Sequence, residues 1–275
     1  MPAMDPLTIH NSPETIAART SAIHAAMLRD SLQMRQPNFT IIGTDDLALL
    51  FRLYDEQFFA GWLAQSVREK AAGPVHFRLS STMSRAGGKT IRHRTFGPAG
   101  ASHVHFEIAI ASRLLFMTFG DIARPIIVCG LICTDRLQAM QRIMEHELIH
   151  LTELLLWGNS SCSAPPFRAL ANRVFGHTQS THDLVTPREH AALHHGIRIG
   201  SMVRFEFDHV RLVGRVNRIS RRATVLVESD DGVPYSDGKA YRKFYVPLSM
   251  LTLADAPAPL PEERTRQDSN LRPSD

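Results

Sequence analysis

The stretch MEHELIHLTELLLWGNSSCSAPPF, Met144 to Phe167, constrains the chain more than any other. In it and just before it, Leu137, Met140, Ile143, Met144, Leu148, Leu151 and Leu155 recur at helical spacing. A helix over 134–157 is therefore predicted, stopped by Gly158-Asn159. The middle of this apolar segment carries His146, Glu147 and His150. Polar groups buried there without a ligand would be costly. Side chains four apart on a helix point about 40° apart around its axis, so both imidazoles can face one divalent cation with Glu147 beside them. The same spacing serves sites in which a carboxylate takes a proton from metal-activated water. Such a site needs a third protein ligand, and no histidine follows until His177.

The flanking sequence places this helix in an α+β context. A first helix is predicted from Pro13 to Met34, and a second from Thr44 to about Gly61, with Leu47, Leu50, Phe51, Tyr54 and Phe58 on one face. VHFRLS, KTIRHRTF and SHVHFEIAIA read as short strands of a small antiparallel sheet. A further helix, Pro165 to Phe175, opens on prolines where a missing N–H costs nothing. From Gly200 the pattern changes to alternating strands with tight turns, five in about fifty residues, which predicts a small SH3-like barrel.

Composition narrows the classes. With 275 residues, 44% of them hydrophobic, the chain can bury a large core. Three cysteines do not make a disulfide framework, the N-terminus lacks a signal-peptide pattern, and no apolar run is long enough to cross a bilayer. A cytoplasmic protein without a membrane anchor is expected. Cys129 and Cys133 have no second Cys or His pair at zinc-ribbon spacing and read as buried core thiols.

Beyond the metal motif, LFRLYDEQFFAGWL, STMSRAGGKT, FEIAIAS, HELIHLTELLLWG and FRALANRVFGH occur in one order along 45–183. In these fragments the chain resembles the SprT-like (Spartan-related) zinc metalloprotease domains. The resemblance implies a zincin-type fold, zinc as cofactor, His146 and His150 as ligands, Glu147 as general base, and endopeptidase action on DNA-associated proteins. It also implies a histidine ligand after the active-site helix, but Ser163-Ala164 stands where the family keeps His-Gly. Cys162, one residue away, is the first choice as replacement, since a thiolate binds zinc strongly. His177, His182 and Glu153 are the alternatives, with Glu153 better suited to orienting a histidine.

The expected organisation is an N-terminal helical extension over 1–40, the metalloprotease domain over 41–185, a linker over 186–199, the barrel over 200–254 and a disordered tail over 255–275. Residues 200–250 hold nine Lys or Arg against six Asp or Glu. Arg215, Arg218, Arg221 and Arg222 crowd one strand and its turn, which marks them as candidate contacts to nucleic acid. A protein substrate and DNA are thus the expected partners. The rival expectation is a scaffold that keeps the fold without a working metal site.

Overall fold

Helix α5 (Arg136–Trp157) is the axis on which the first part of the chain is built. The Asp135 carboxylate accepts from the Gln138 N–H at 2.8 Å and starts the helix, and Gly158, at φ 72°, ends it. It is buried nearly all round, with Leu137, Met140, Ile143, Met144, Leu148 and Leu151 at 0% exposure. A helix of that kind lies inside a core. The computed structural model describes residues 4–96, 102–120 and 122–254. The chain divides into two units, at Thr186/Pro187.

In the first unit α1 (Pro13–Asp30), α2 (Thr44–Phe59), α3 (Trp62–Lys70), α4 (Ser112–Met117) and α6 (Pro165–Phe175) surround α5. Helix α1 ends at Asp30, four residues before the predicted Met34, and the hydroxyl of its C-cap Ser31 donates to Asp46 Oδ1 at 2.6 Å. Its Ile16, Ile23 and Met27 join the same hydrophobic core as α5, so the N-terminal segment is part of that core. Helix α2 begins at Thr44 as predicted, with Gly43 as its N-cap, whose N–H donates to the Asp46 carboxylate at 2.8 Å. Left-handed Ala60 and Gly61 break the chain between α2 and α3. Asp55 then caps α3 through the Leu63 and Ala64 amides.

The first sheet contains β1 (His76–Leu79), β2 (Gly88–Phe96) and β3 (Ser102–Ile110) in the order β1-β3-β2. It is mixed and not antiparallel as expected, since β1 runs parallel to β3 while β2 runs antiparallel to it. Strand β2 is an outer strand and packs along α5. The sequence pattern gave no sign of a second sheet, β4 (Ile126–Val128), β5 (Leu131–Cys133) and β6 (His182–Asp183), whose strands are too short to show alternation.

In the second unit β7 (Met202–Phe207), β8 (Val210–Ile219), β9 (Ala223–Pro234), β10 (Ala240–Val246) and β11 (Thr252–Leu253) pair antiparallel in the order β10-β9-β8-β7-β11. Among the described residues the outer strands β10 and β11 do not pair with each other, so the five strands form one sheet that does not close into a continuous barrel. The stretch expected to be a linker holds α7 (Pro187–His195). Ala191 and Ile197 pack with Val203, Val216 and Val225, so 187–199 belongs to the core of this unit. The tail over 255–275 lies outside the described residues. No described helix is long and apolar enough to cross a membrane.

A buried polar network holds α2, α5 and the segment after α6 together. Glu145, fully buried, accepts from the Tyr54 hydroxyl at 2.6 Å, bonds His177 Nε2 at 2.7 Å and pairs with Arg142 at 2.8 Å. Removing one partner from such a network leaves the others buried without compensation. Glu145→Ala is expected to cost about 3–5 kcal/mol in urea unfolding followed by circular dichroism.

Candidate metal centre

His146 and His150 project from adjacent turns of α5, and their Nε2 atoms lie 3.1 Å apart. Both rings rest against Phe167 at the start of α6, with centroid separations of 4.8 and 4.5 Å. The prolines that open α6 therefore place a wall that fixes two imidazole planes. For a tetrahedral ion with metal–nitrogen bonds of about 2.0–2.1 Å, the two nitrogens would sit about 3.4 Å apart. The observed pair fits that with a small adjustment.

The far nitrogen of each ring has its own partner. The Ser160 hydroxyl donates to Glu153 Oε2 at 2.5 Å, so its oxygen accepts from His150 Nδ1–H, 2.6 Å away. That chain fixes the His150 tautomer and leaves Nε2 with a lone pair for a cation. His146 Nδ1 lies 3.8 Å from Cys129 Sγ. Burial, aided by neighbouring histidines, pushes the pKa of His146 down to about 2, and burial pushes that of His150 down to about 4. Both are neutral imidazoles at physiological pH, the form that ligates metals.

Glu147, 1% exposed, lies beside the pair. Burial raises its pKa to about 8, against the opposing effect of hydrogen bonds from Thr90. Thr90 Oγ1 donates to Glu147 Oε2 at 2.8 Å and to the Glu147 carbonyl at 3.0 Å. Strand β2 approaches so closely that a Cβ on Gly88 would stand 2.5 Å from Glu147 Oε1. The carboxylate is thus held between a hydroxyl and a bare backbone. A cleft of about 550 Å³ opens above it, lined among others by Arg85, Lys89, Leu154 and Ser180.

The four sequence candidates for a third ligand separate clearly. Ligand atoms of His146, His150 and Cys162 all lie within 4.8 Å of one another, with Cys162 half-buried in the loop between α5 and α6. His182 lines the same cleft, its ring 4.7 Å from that of His146, and it groups with His146 and Cys129. His177 is bound to Glu145 and does not join either group. Glu153 is engaged by Ser160, in the orienting position. Ser163, where the resemblance implies a histidine, bonds Ser161 at 2.9 Å. These groups could hold a metal ion.

Thr90, Gly88, Ser160 and Phe167 were missed as site residues. GGKT and Phe167 stand in fragments that carried the family resemblance and Ser160 in none, and nothing in their spacing tied them to the histidines. In the second unit Arg215 is half-buried on β8, facing Met202 and Leu226 across the ladders. Arg218 is exposed after a bulge, and Arg221 and Arg222 are exposed in the β8–β9 turn. No protein-family model, curated protein or solved structure matches the chain.

Ser160 would act on a bound cation through His150, whose Nδ1 it meets at 2.6 Å. Ser160→Ala is expected to weaken metal affinity about 10–100-fold with the fold intact, measured by competition against a chromophoric chelator.

Proposed function

We propose that the chain is a zinc-dependent endopeptidase of the SprT-like type, with a zincin-type first unit and an SH3-like second unit that recruits DNA. The observation that carries the reading is the pair of Nε2 atoms 3.1 Å apart, with a buried carboxylate beside them, on the floor of an open cleft. His146 and His150 would hold the ion, and Cys162 would be the third ligand, since its atom is the one that converges with both. When bound, zinc supplies Lewis-acid polarisation of a carbonyl and brings the pKa of a bound water to about 7.

The chain's own groups do the rest. Glu147 takes the proton of the attacking water at Oε1, while Thr90 holds Oε2, and then delivers that proton to the leaving amine nitrogen. A nearby cation lowers the pKa of a carboxyl, which brings Glu147 into its basic form at neutral pH. Strand β2, an outer strand beside the cleft, offers a backbone edge along which an extended peptide can pair. Arg85 and Lys89 favour acidic groups on that peptide.

The wild-type chain is expected to bind one zinc per molecule and to cleave an unfolded protein substrate. Glu147→Gln should keep zinc and lose about 10²–10⁴ in rate. Cys162→Ser should release most of the zinc. A metal-free wild-type protein, indifferent to Glu147→Gln, would instead fit the scaffold reading, which the serine at position 163 favours.

Recruitment of DNA rests on Arg218, Arg221 and Arg222 at one end of the open sheet, with Arg215 on the strand leading to them. Charge reversal at Arg221 and Arg222 should lower affinity for a DNA duplex and flatten its salt dependence, measured by fluorescence anisotropy from low to physiological salt. Equal affinity in the variant would count against this role.

A further inference from the structure

His146 stands between two sets of donors. Its Nε2 lies 3.1 Å from His150 Nε2 and its Nδ1 lies 3.8 Å from Cys129 Sγ, and the ligand atoms within each of the trios His146, His150, Cys162 and Cys129, His146, His182 lie within 4.8 Å of one another. We propose that Cys129, His146 and His182 form a second, inner metal position for a thiophilic divalent cation, which competes with the cleft position for His146. This goes beyond the peptidase reading and does not depend on it.

Three observations support the assignment. The Cys129 Sγ to His146 Nδ1 separation is 3.8 Å. Bonds of about 2.3 Å to sulfur and about 2.0–2.1 Å to nitrogen would place these atoms about 3.6 Å apart across a tetrahedral ion. His182 Nε2 is buried without a hydrogen-bond partner, whereas buried polar atoms are ordinarily paired. Third, the backbone is bent to put the thiol there. Cys129 and Gly130 are the two central residues of the tight β4–β5 turn, at φ 55° and 79°. Both signs are positive, as in a type I′ turn, where Asn, Asp or Gly is the ordinary first residue. The Cys129 N–H bonds the Thr181 carbonyl at 2.8 Å, and its own carbonyl accepts from Thr178 and Gln179. That turn is therefore pinned to the segment carrying His182.

Burial, aided by the carboxylates of Glu145 and Glu147 and opposed by Arg142, pushes the pKa of the Cys129 thiol up, so the thiol keeps its proton until a cation takes the proton's place. Loading the position requires the Cys129 thiol to release its proton to solvent and His146 to offer Nδ1 with the ring proton on Nε2. A neutral imidazole has one lone pair to give, so His146 serves one position at a time. An ion held inside leaves the cleft with His150 and Cys162 alone, which is a latent state of the site.

Cobalt(II) titration of the full-length chain tests the proposal, because a thiolate ligand gives an intense near-ultraviolet charge-transfer band. In His150→Ala/Cys162→Ser, which dismantles the cleft position, one cobalt is expected to bind with that band retained. Adding His182→Ala should weaken this binding more than about 100-fold. Adding Cys129→Ser should remove the band even where some cobalt stays bound. Circular dichroism identifies any variant that fails to fold, and the His182 and Cys129 changes are read separately so that either one decides. Absence of a thiolate band in the folded double variant would overturn the inner position, as would a band untouched by His182→Ala. Loss of peptidase activity plays no part in the readout, so failure of the catalytic reading leaves this test intact.

Discussion

Everything in the first unit depends on a helix that has polar groups at its centre and apolar groups on all sides. Burying Glu145, Glu147 and Glu153 along α5 is unfavourable in itself, and each is offset by a specific partner. Glu145 has Tyr54, Arg142 and His177, Glu153 has Ser160, and Glu147 has Thr90. These partners come from α2, β2 and the loops on either side of α6. The polar face of α5 therefore organises the unit as much as its apolar face does. Where the partner list ends, at the convergent nitrogens of His146 and His150, the structure has room for an ion.

The two roles of these groups are distinguishable by burial and reach. Glu145 and His177 are bonded to each other with no cleft atom between them, and they serve the fold. Glu147 is equally buried but lines the cleft. His150 is tied to Ser160 through Nδ1 and turns Nε2 toward His146 Nε2. Such half-satisfied groups are where chemistry can occur, because their remaining capacity points outward.

Much of this was legible in the sequence, and the limits have physical reasons. The 3.6-residue period over 134–157 and the i, i+4 histidines identified α5 and its two convergent imidazoles, since both signals are local. Strand β2 could be read as a strand, but its place beside Glu147 depends on a mixed sheet whose parallel β1–β3 pairing no local pattern encodes. The β4–β5–β6 sheet escaped notice because strands of two or three residues have no period. His177 and His182 looked alike in the sequence, five residues apart in one polar stretch. Only the tertiary placement of Glu145 separates a structural histidine from one at the site. Similarly, the five strands of the second unit were visible as alternation, but whether the ends of the sheet meet is decided by curvature and not by pattern.

The contact between Gly88 and Glu147 has a wider meaning. With 2.5 Å between the carboxylate oxygen and the place where any side chain would begin, position 88 admits an alphabet of one letter. The strand beside the cleft is thereby held to a single depth. Every residue of β2 inherits its distance from α5, and the missing side chain at Gly88 works as a gauge that sets how near the strand's backbone stands to the Glu147 carboxyl group.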